Sequence, residues 1–182
     1  MARTLIVLGG SSDQRYLVRT AREMGLYVVV CDQNPDSVAF ADADAALVVS
    51  TRDVPALTSR IEEDRSKWPT LGGVITMGSD IPLEVARLAQ RFDLPHLPLE
   101  TAHLASDKLA MKERFAEHEI PIPWFEEVRS TSELTGIVKQ RGLPLVLKPI
   151  DRSGSRGVCL LDEDSDRDAL FAAARDISFS GR

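Results

Sequence analysis

Two lysines and one hydroxyl-rich loop have the types and spacing to do chemistry in this sequence. The apolar run "LPLVLKP" (143–149) ends on Lys148, and "DRSGSRG" follows at 151–157. An ammonium at the end of a buried strand costs free energy unless it finds a partner or its stem packs while its tip reaches water. Pointed into a cleft, it binds phosphate as a compact charge. Ser153 and Ser155 add hydroxyl donors, Gly154 and Gly157 let backbone N–H groups approach a polyanion, and Arg156 adds charge. A hairpin turn between two strands would use the same residues, so both readings stand open on local chemistry. Lys108 follows Ser106-Asp107 at the start of a helical stretch. It reads either as a solvated lysine on a capped helix or as a second phosphate cation.

A second group lies at predicted strand ends: Gly9 and Gly10 after "TLIVL", Asp32 and Asn34 after "LYVVVC", and Gly78-Ser79-Asp80 after "GGVITM". Ligands of open α/β sheets bind at the carboxyl ends of the strands. The third glycine of G-x-G-x-x-G is missing, which disfavours a nicotinamide site. The competing reading makes these residues turns and helix caps, with Ser79 or Asp80 capping the helix that follows. His96, His103 and His118 are scattered and suggest neither a metal nor a triad, and no metal ligand is assigned in this chain.

The elements that must position these residues follow from periodicity. Residues 1–105 alternate short apolar strands (4–8, 26–31, 45–50, 72–77) with helical patterns, which implies parallel β/α/β packing. "LPHLPLE" (94–100) is a short last strand or an extended connection. Residues 106–121 read as a linker helix, with Leu109, Met111 and Phe115 facing inward. Residues 122–182 then give a β-α-β-β-α order: a strand after "IPIP", a helix capped by Ser130 with Glu133 three residues on, two strands, and a last helix. The expected class is α/β, a Rossmann-like parallel sheet domain followed by a small α+β subdomain.

The chain has 182 residues and a net charge of −6, which argues against a broad nucleic-acid-binding face. Anion binding must come from a few local cations and backbone donors. No segment approaches the roughly 20 apolar residues that span a bilayer. The two cysteines, Cys31 and Cys159, sit in apolar runs without metal spacing, and a reduced pair in a cytoplasmic protein is expected.

"SDKLAMKERFAEHEIPIPWF" and "GLPLVLKPIDRSGSRGVCLL", together with "VLGG", "VVVCDQNPDSVAFADADAALVV" and "GVITMGSD", resemble the ATP-grasp superfamily. That group includes biotin carboxylase, carbamoyl-phosphate synthetase, the D-alanine–D-alanine ligases and several purine-pathway ligases. The resemblance covers nearly the whole chain. It implies a pre-ATP-grasp domain followed by an ATP-grasp lid. Lys108 and Lys148 match the family's two nucleotide-binding lysines, and Ser153, Gly154, Ser155, Arg156 and Gly157 match its phosphate loop. Gly9, Gly10, Asp32, Asn34, Gly78, Ser79 and Asp80 would contribute to the acceptor-substrate pocket. The implied chemistry is phosphoryl transfer from ATP to a carboxylate, then attack on the acyl phosphate by an amine or other nucleophile. Two departures are visible: the loop has fewer glycines than many members carry, and the chain stops before the unit that supplies the adenine hinge and the ligands for Mg²⁺. It is therefore expected to be a truncated form, a cleaved product or an incomplete enzyme, inactive by itself. A homo-oligomer is a further expectation, and a non-catalytic nucleotide- or ligand-binding module is the alternative.

Overall fold

The computed structural model describes residues 2–182. Contacts divide them into two units, the first running to His103 and the second from Leu104 to Arg182.

In the first unit the order is β1 (Thr4–Leu8), α1 (Ser12–Glu23), β2 (Tyr27–Asp32), β3 (Ala45–Val48), α2 (Val54–Asp64), β4 (Leu71–Ile75) and α3 (Pro82–Arg91). The four strands form one parallel sheet in the order β3-β2-β1-β4. Alternation within each strand sorts the core into two layers. Ile6, Leu8, Val29, Cys31 and Leu47 pack with Leu57 and Ile61 of α2 and Leu88 of α3. Val7, Val28 and Val30 pack on the opposite face with Val18 and Ala21 of α1. Burial on both faces explains why these strands read as continuous apolar runs rather than alternating ones. The expected α/β class and doubly wound parallel sheet are therefore present.

α4 (Leu99–Ser106) contains the division between the units. The second unit continues with α5 (Lys108–Glu117), α6 (Thr131–Arg141), β5 (Leu145–Leu147), β6 (Cys159–Leu161) and α7 (Arg167–Ile177). β5 and β6 pair antiparallel, Val146 opposite Leu160. α6 buries Leu134, Ile137 and Val138, and α7 buries Ala174.

Three local expectations are corrected, and one open alternative is decided. The helix predicted over 106–119 begins two residues later, because Asp107 adopts an extended backbone and its carboxylate accepts from the N–H groups of Leu109 and Ala110 at 2.9 and 3.0 Å. That cap ends α4 and starts α5. Of the two readings of residues 94–100, the connection holds for 94–98, which form no strand and lead into α4. The strand predicted after "IPIP" is absent: β5 and β6 pair only with each other, so residues 120–129 have no ladder to join. Neither Ser79 nor Asp80 caps α3, whose N-cap is Ile81. Asp80 instead pairs with Arg52 at 2.7 Å. The Ser130 cap holds, with Glu133 N–H donating to Ser130 Oγ at 3.2 Å, while Glu133 Oε2 accepts from Arg129 N–H rather than from Ser130.

Candidate functional site

Lys108 and Lys148 line one cavity of about 620 Å³ in the second unit. Lys148 stands just past the end of β5, exposed, on a strand anchored by pairing with β6. Lys108 is the first residue of α5, and its backbone N–H donates to Ile150 O at 2.8 Å. Its ammonium donates to Ile150 O at 3.4 Å and to Arg152 O. The start of α5 is thus tied to the turn immediately after Lys148. That tie brings together two lysines forty residues apart in sequence.

The lining is cationic although the chain is acidic: Lys108, Lys112, Arg129, Lys148, Arg175 and Arg182 face two carboxylates, Glu126 and Glu127. Glu127 accepts from Arg129 Nη2 and Arg182 Nη2, both at 2.6 Å. The Arg129 bond first, then the Arg182 bond, outweigh burial and hold this carboxyl below its ordinary range. Glu127 is therefore committed to those two arginines. The floor is apolar, with Leu134, Ile137, Leu147, Leu161 and Ala174.

None of Ser153, Gly154, Ser155, Arg156 or Gly157 is among the residues that line this cavity. The first four are exposed in a turn, where Arg156 N–H reaches Ser153 O at 3.4 Å and Val158 N–H reaches Ser155 O at 3.2 Å. Gly157 closes the loop at φ +72°, and a Cβ there would lie 2.7 Å from Ile177 Cγ2 and 2.8 Å from Pro149 Cγ. Only glycine fits that position without a shift.

Asp151 anchors the loop's other end. Its carboxylate accepts from Ser178 Oγ (2.9 Å), Phe179 N–H (3.1 Å), Ser180 N–H (2.7 Å) and Ser180 Oγ (2.7 Å). Arg152 stacks beside it, its guanidinium 3.9 Å from the Phe179 ring centroid. Burial pushes the Asp151 carboxyl up, but the bonds from Ser180, Ser178 and Phe179 together outweigh it and hold the group below its ordinary value. A folded pKa below the unfolded one gives stability that is present above the unfolded value and lost as pH falls through the folded one. Acid titration followed by amide exchange should therefore release residues 178–180 below about pH 4, the ordinary carboxylate value. Asp151→Asn should release them at neutral pH. Unchanged protection at 178–180 in that variant would contradict the anchoring role.

The first unit gathers the other candidates at the carboxyl ends of its strands. Gly9 and Gly10 follow β1, Asp32 ends β2, and Gly78, Ser79 and Asp80 follow β4. The β1/β4 border is the switch point of this strand order, where open α/β sheets bind ligands. Asp32 is committed to the backbone, accepting from Gly10 N–H at 2.7 Å and Asn34 N–H at 2.8 Å. A Cβ on Gly10 would lie 2.7 Å from Ser37 Cβ, so glycine is required for that close approach. Gln14 is 4% exposed, and its amide donates to Met77 O at 2.6 Å across the switch point. Its burial was not legible in the sequence. Both cysteines are free, and burial, with Asp32 adding to it, raises the Cys31 thiol to about 12.

No family model matches the chain. The formate-dependent phosphoribosylglycinamide formyltransferase of Nitratidesulfovibrio vulgaris (strain DP4) is 26% identical over 176 residues, which is 96% of this chain and 44% of that protein. The crystal structure of N5-carboxyaminoimidazole ribonucleotide synthetase from Thermus thermophilus matches with a TM-score of 0.68 and 26% identity, over 98% of this chain and 44% of that one. These relatives and others like them are ATP-grasp ligases. The chain is similar to ATP-grasp ligases over nearly its whole length. It spans less than half the length of these relatives. The N5-carboxyaminoimidazole synthetase of Staphylococcus aureus, complexed with ADP, shares the fold with a TM-score of 0.71 at 18% identity, over 93% of this chain and 44% of that one.

The donor set of this cavity suits a nucleotide: ammonium groups suit phosphates, and an apolar floor suits a base. It does not fit a magnesium site. Among the described residues no three His, Cys, Asp or Glu are grouped to hold a metal, and Glu127 is taken by arginines. Among the described residues, no helix is long and apolar enough to cross a membrane.

Proposed function

We propose that this chain is the N-terminal part of an ATP-dependent ligase that joins a small carboxylate to an amine or related nucleophile through an acyl phosphate, in the cytoplasm. The observation that carries this reading is the convergence of Lys108 and Lys148 on one cationic cavity with an apolar floor. Phosphoryl transfer asks a protein chiefly for positioning and charge stabilisation, and these lysines supply both. Ser153, Gly154, Ser155, Arg156 and Gly157 form the flap that admits the nucleotide and then closes over its phosphates. Their exposure, outside the cavity wall, leaves the loop room for that movement.

The switch-point residues Gly9, Gly10, Asp32, Asn34, Gly78, Ser79 and Asp80 serve the acceptor substrate, and Asp32 also shapes the Gly10–Asn34 turn. Magnesium would accompany ATP in the whole ligase, held by groups other than those of this cavity, where Glu127 is taken by arginines.

The product of the gene's whole open reading frame tests this reading in an ATPase screen against amino acids and small carboxylates. ADP release that depends on one carboxylate is the expected result. ATP binding without any such stimulation would favour a non-catalytic nucleotide-binding module, and absence of ATP binding would overturn the reading.

A further inference from the structure

Lys112 lies on α5 four residues after Lys108, so both project from the same face, one turn apart. It lines the same cavity as Lys108 and Lys148. Its ammonium sits 5.2 Å from the centroid of the Phe125 ring. Lys112 forms no ion pair among the described residues. Arg129 and Arg182, by contrast, are spent on Glu127.

A lysine in this position has two physical options. Solvated, it would wander among rotamers, at a cost of about 2 kcal/mol of entropy to fix it. Held against an aromatic face, it stays charged and partly oriented, because the ring quadrupole attracts it without neutralising it. Phe125 belongs to the unpaired stretch 120–129, which lines the cavity beside Trp124 and Glu126. The ring therefore fixes a third full positive charge at the wall that carries Lys108.

We propose that Lys112 is a third phosphate-contacting cation, positioned by Phe125, for the polyphosphate of a nucleoside triphosphate. The proposal rests on the cavity being the nucleotide site, and it adds a residue that the sequence pattern did not single out. Lys108 is tied to the carbonyls of Ile150 and Arg152. Among the described residues Lys112 has no such tie, and the ring holds its ammonium at the wall without neutralising it.

The test is calorimetry of ATP, ADP and AMP on the product of the whole reading frame, carrying Lys112→Met, Lys112→Arg or Phe125→Leu. Lys139→Gln serves as a control, since Lys139 is exposed on α6 and outside the cavity wall. Lys112→Met keeps the apolar stem and should weaken ATP about tenfold or more, the scale of one charge-assisted bond. AMP should weaken less, and Lys112→Arg should restore most of the ATP affinity. Phe125→Leu should give a smaller loss in the same direction. Equal ATP affinity for Lys112→Met and the unaltered protein, with circular dichroism unchanged, would overturn the proposal. So would an equal loss for ATP and AMP, which would mark a structural role. If Lys148→Met also leaves ATP binding unchanged, the nucleotide reading of the cavity fails as well. If Lys148→Met alone loses binding, that reading stands without Lys112.

Discussion

Lys148→Ala removes ATP binding or turnover and leaves the fold in place. Lys148 is exposed and forms no hydrogen bond or ion pair among the described residues, so its truncation leaves no buried partner orphaned. β5 stays paired through Leu145, Val146 and Leu147, and none of that ladder uses the Lys148 side chain. What is lost is one full charge on a cavity with an apolar floor. A hydrogen bond to a charged group contributes about 1.5–3 kcal/mol, which is roughly 10- to 100-fold in affinity. The loss in turnover should be larger, because charge develops on the transferring phosphoryl group. Calorimetry and steady-state kinetics on the whole-reading-frame protein provide the measurement. Unaltered ATP kinetics would reject the assignment of this lysine.

Leu57→Ala should carry the largest cost in stability and no cost in nucleotide affinity. Leu57 is fully buried on α2, against the layer that contains Ile6, Leu8, Val29 and Leu47. Truncating a buried leucine loses transfer free energy and leaves a cavity, about 2–5 kcal/mol together. Domain stabilities are typically about 5–15 kcal/mol, so this is a large fraction. Urea denaturation read by circular dichroism should show a lower midpoint. The residues that line the lysine cavity all belong to the second unit, so ATP affinity at low temperature should not change. A loss below about 1 kcal/mol would mean that this core repacks more easily than its burial implies.

The parallel sheet was legible in the sequence because each strand is covered on both faces and reads as an uninterrupted apolar run. The turns at Gly9-Gly10 and at Asp32 were legible because they fall where those runs stop. The bonds from the Gly10 and Asn34 N–H groups to Asp32 were not, since a carboxylate at a strand end reads equally as a ligand group or as a turn organiser. The break between α4 and α5 was written in Asp107, a cap residue inside a helical pattern, yet periodicity ran straight across it. The stretch 120–129 has strand-like composition and no strand to pair with, and pairing is a tertiary fact that composition does not carry. Asp151 is bound by residues 27 to 29 positions later, so its anchoring role had no local signature. Lys112 did have one. Its spacing from Lys108 puts both on one helix face, but Leu109, Met111 and Phe115 were the residues that patterning singled out there.

The most direct measurement is a structure of the whole-reading-frame protein with a non-hydrolysable ATP analogue. Both Lys108 Nζ and Lys148 Nζ should lie within hydrogen-bonding distance, about 3 Å, of phosphate oxygens of the same nucleotide. A nucleotide seated outside the cavity, or phosphates that meet only one of the two ammonium groups, would contradict the account.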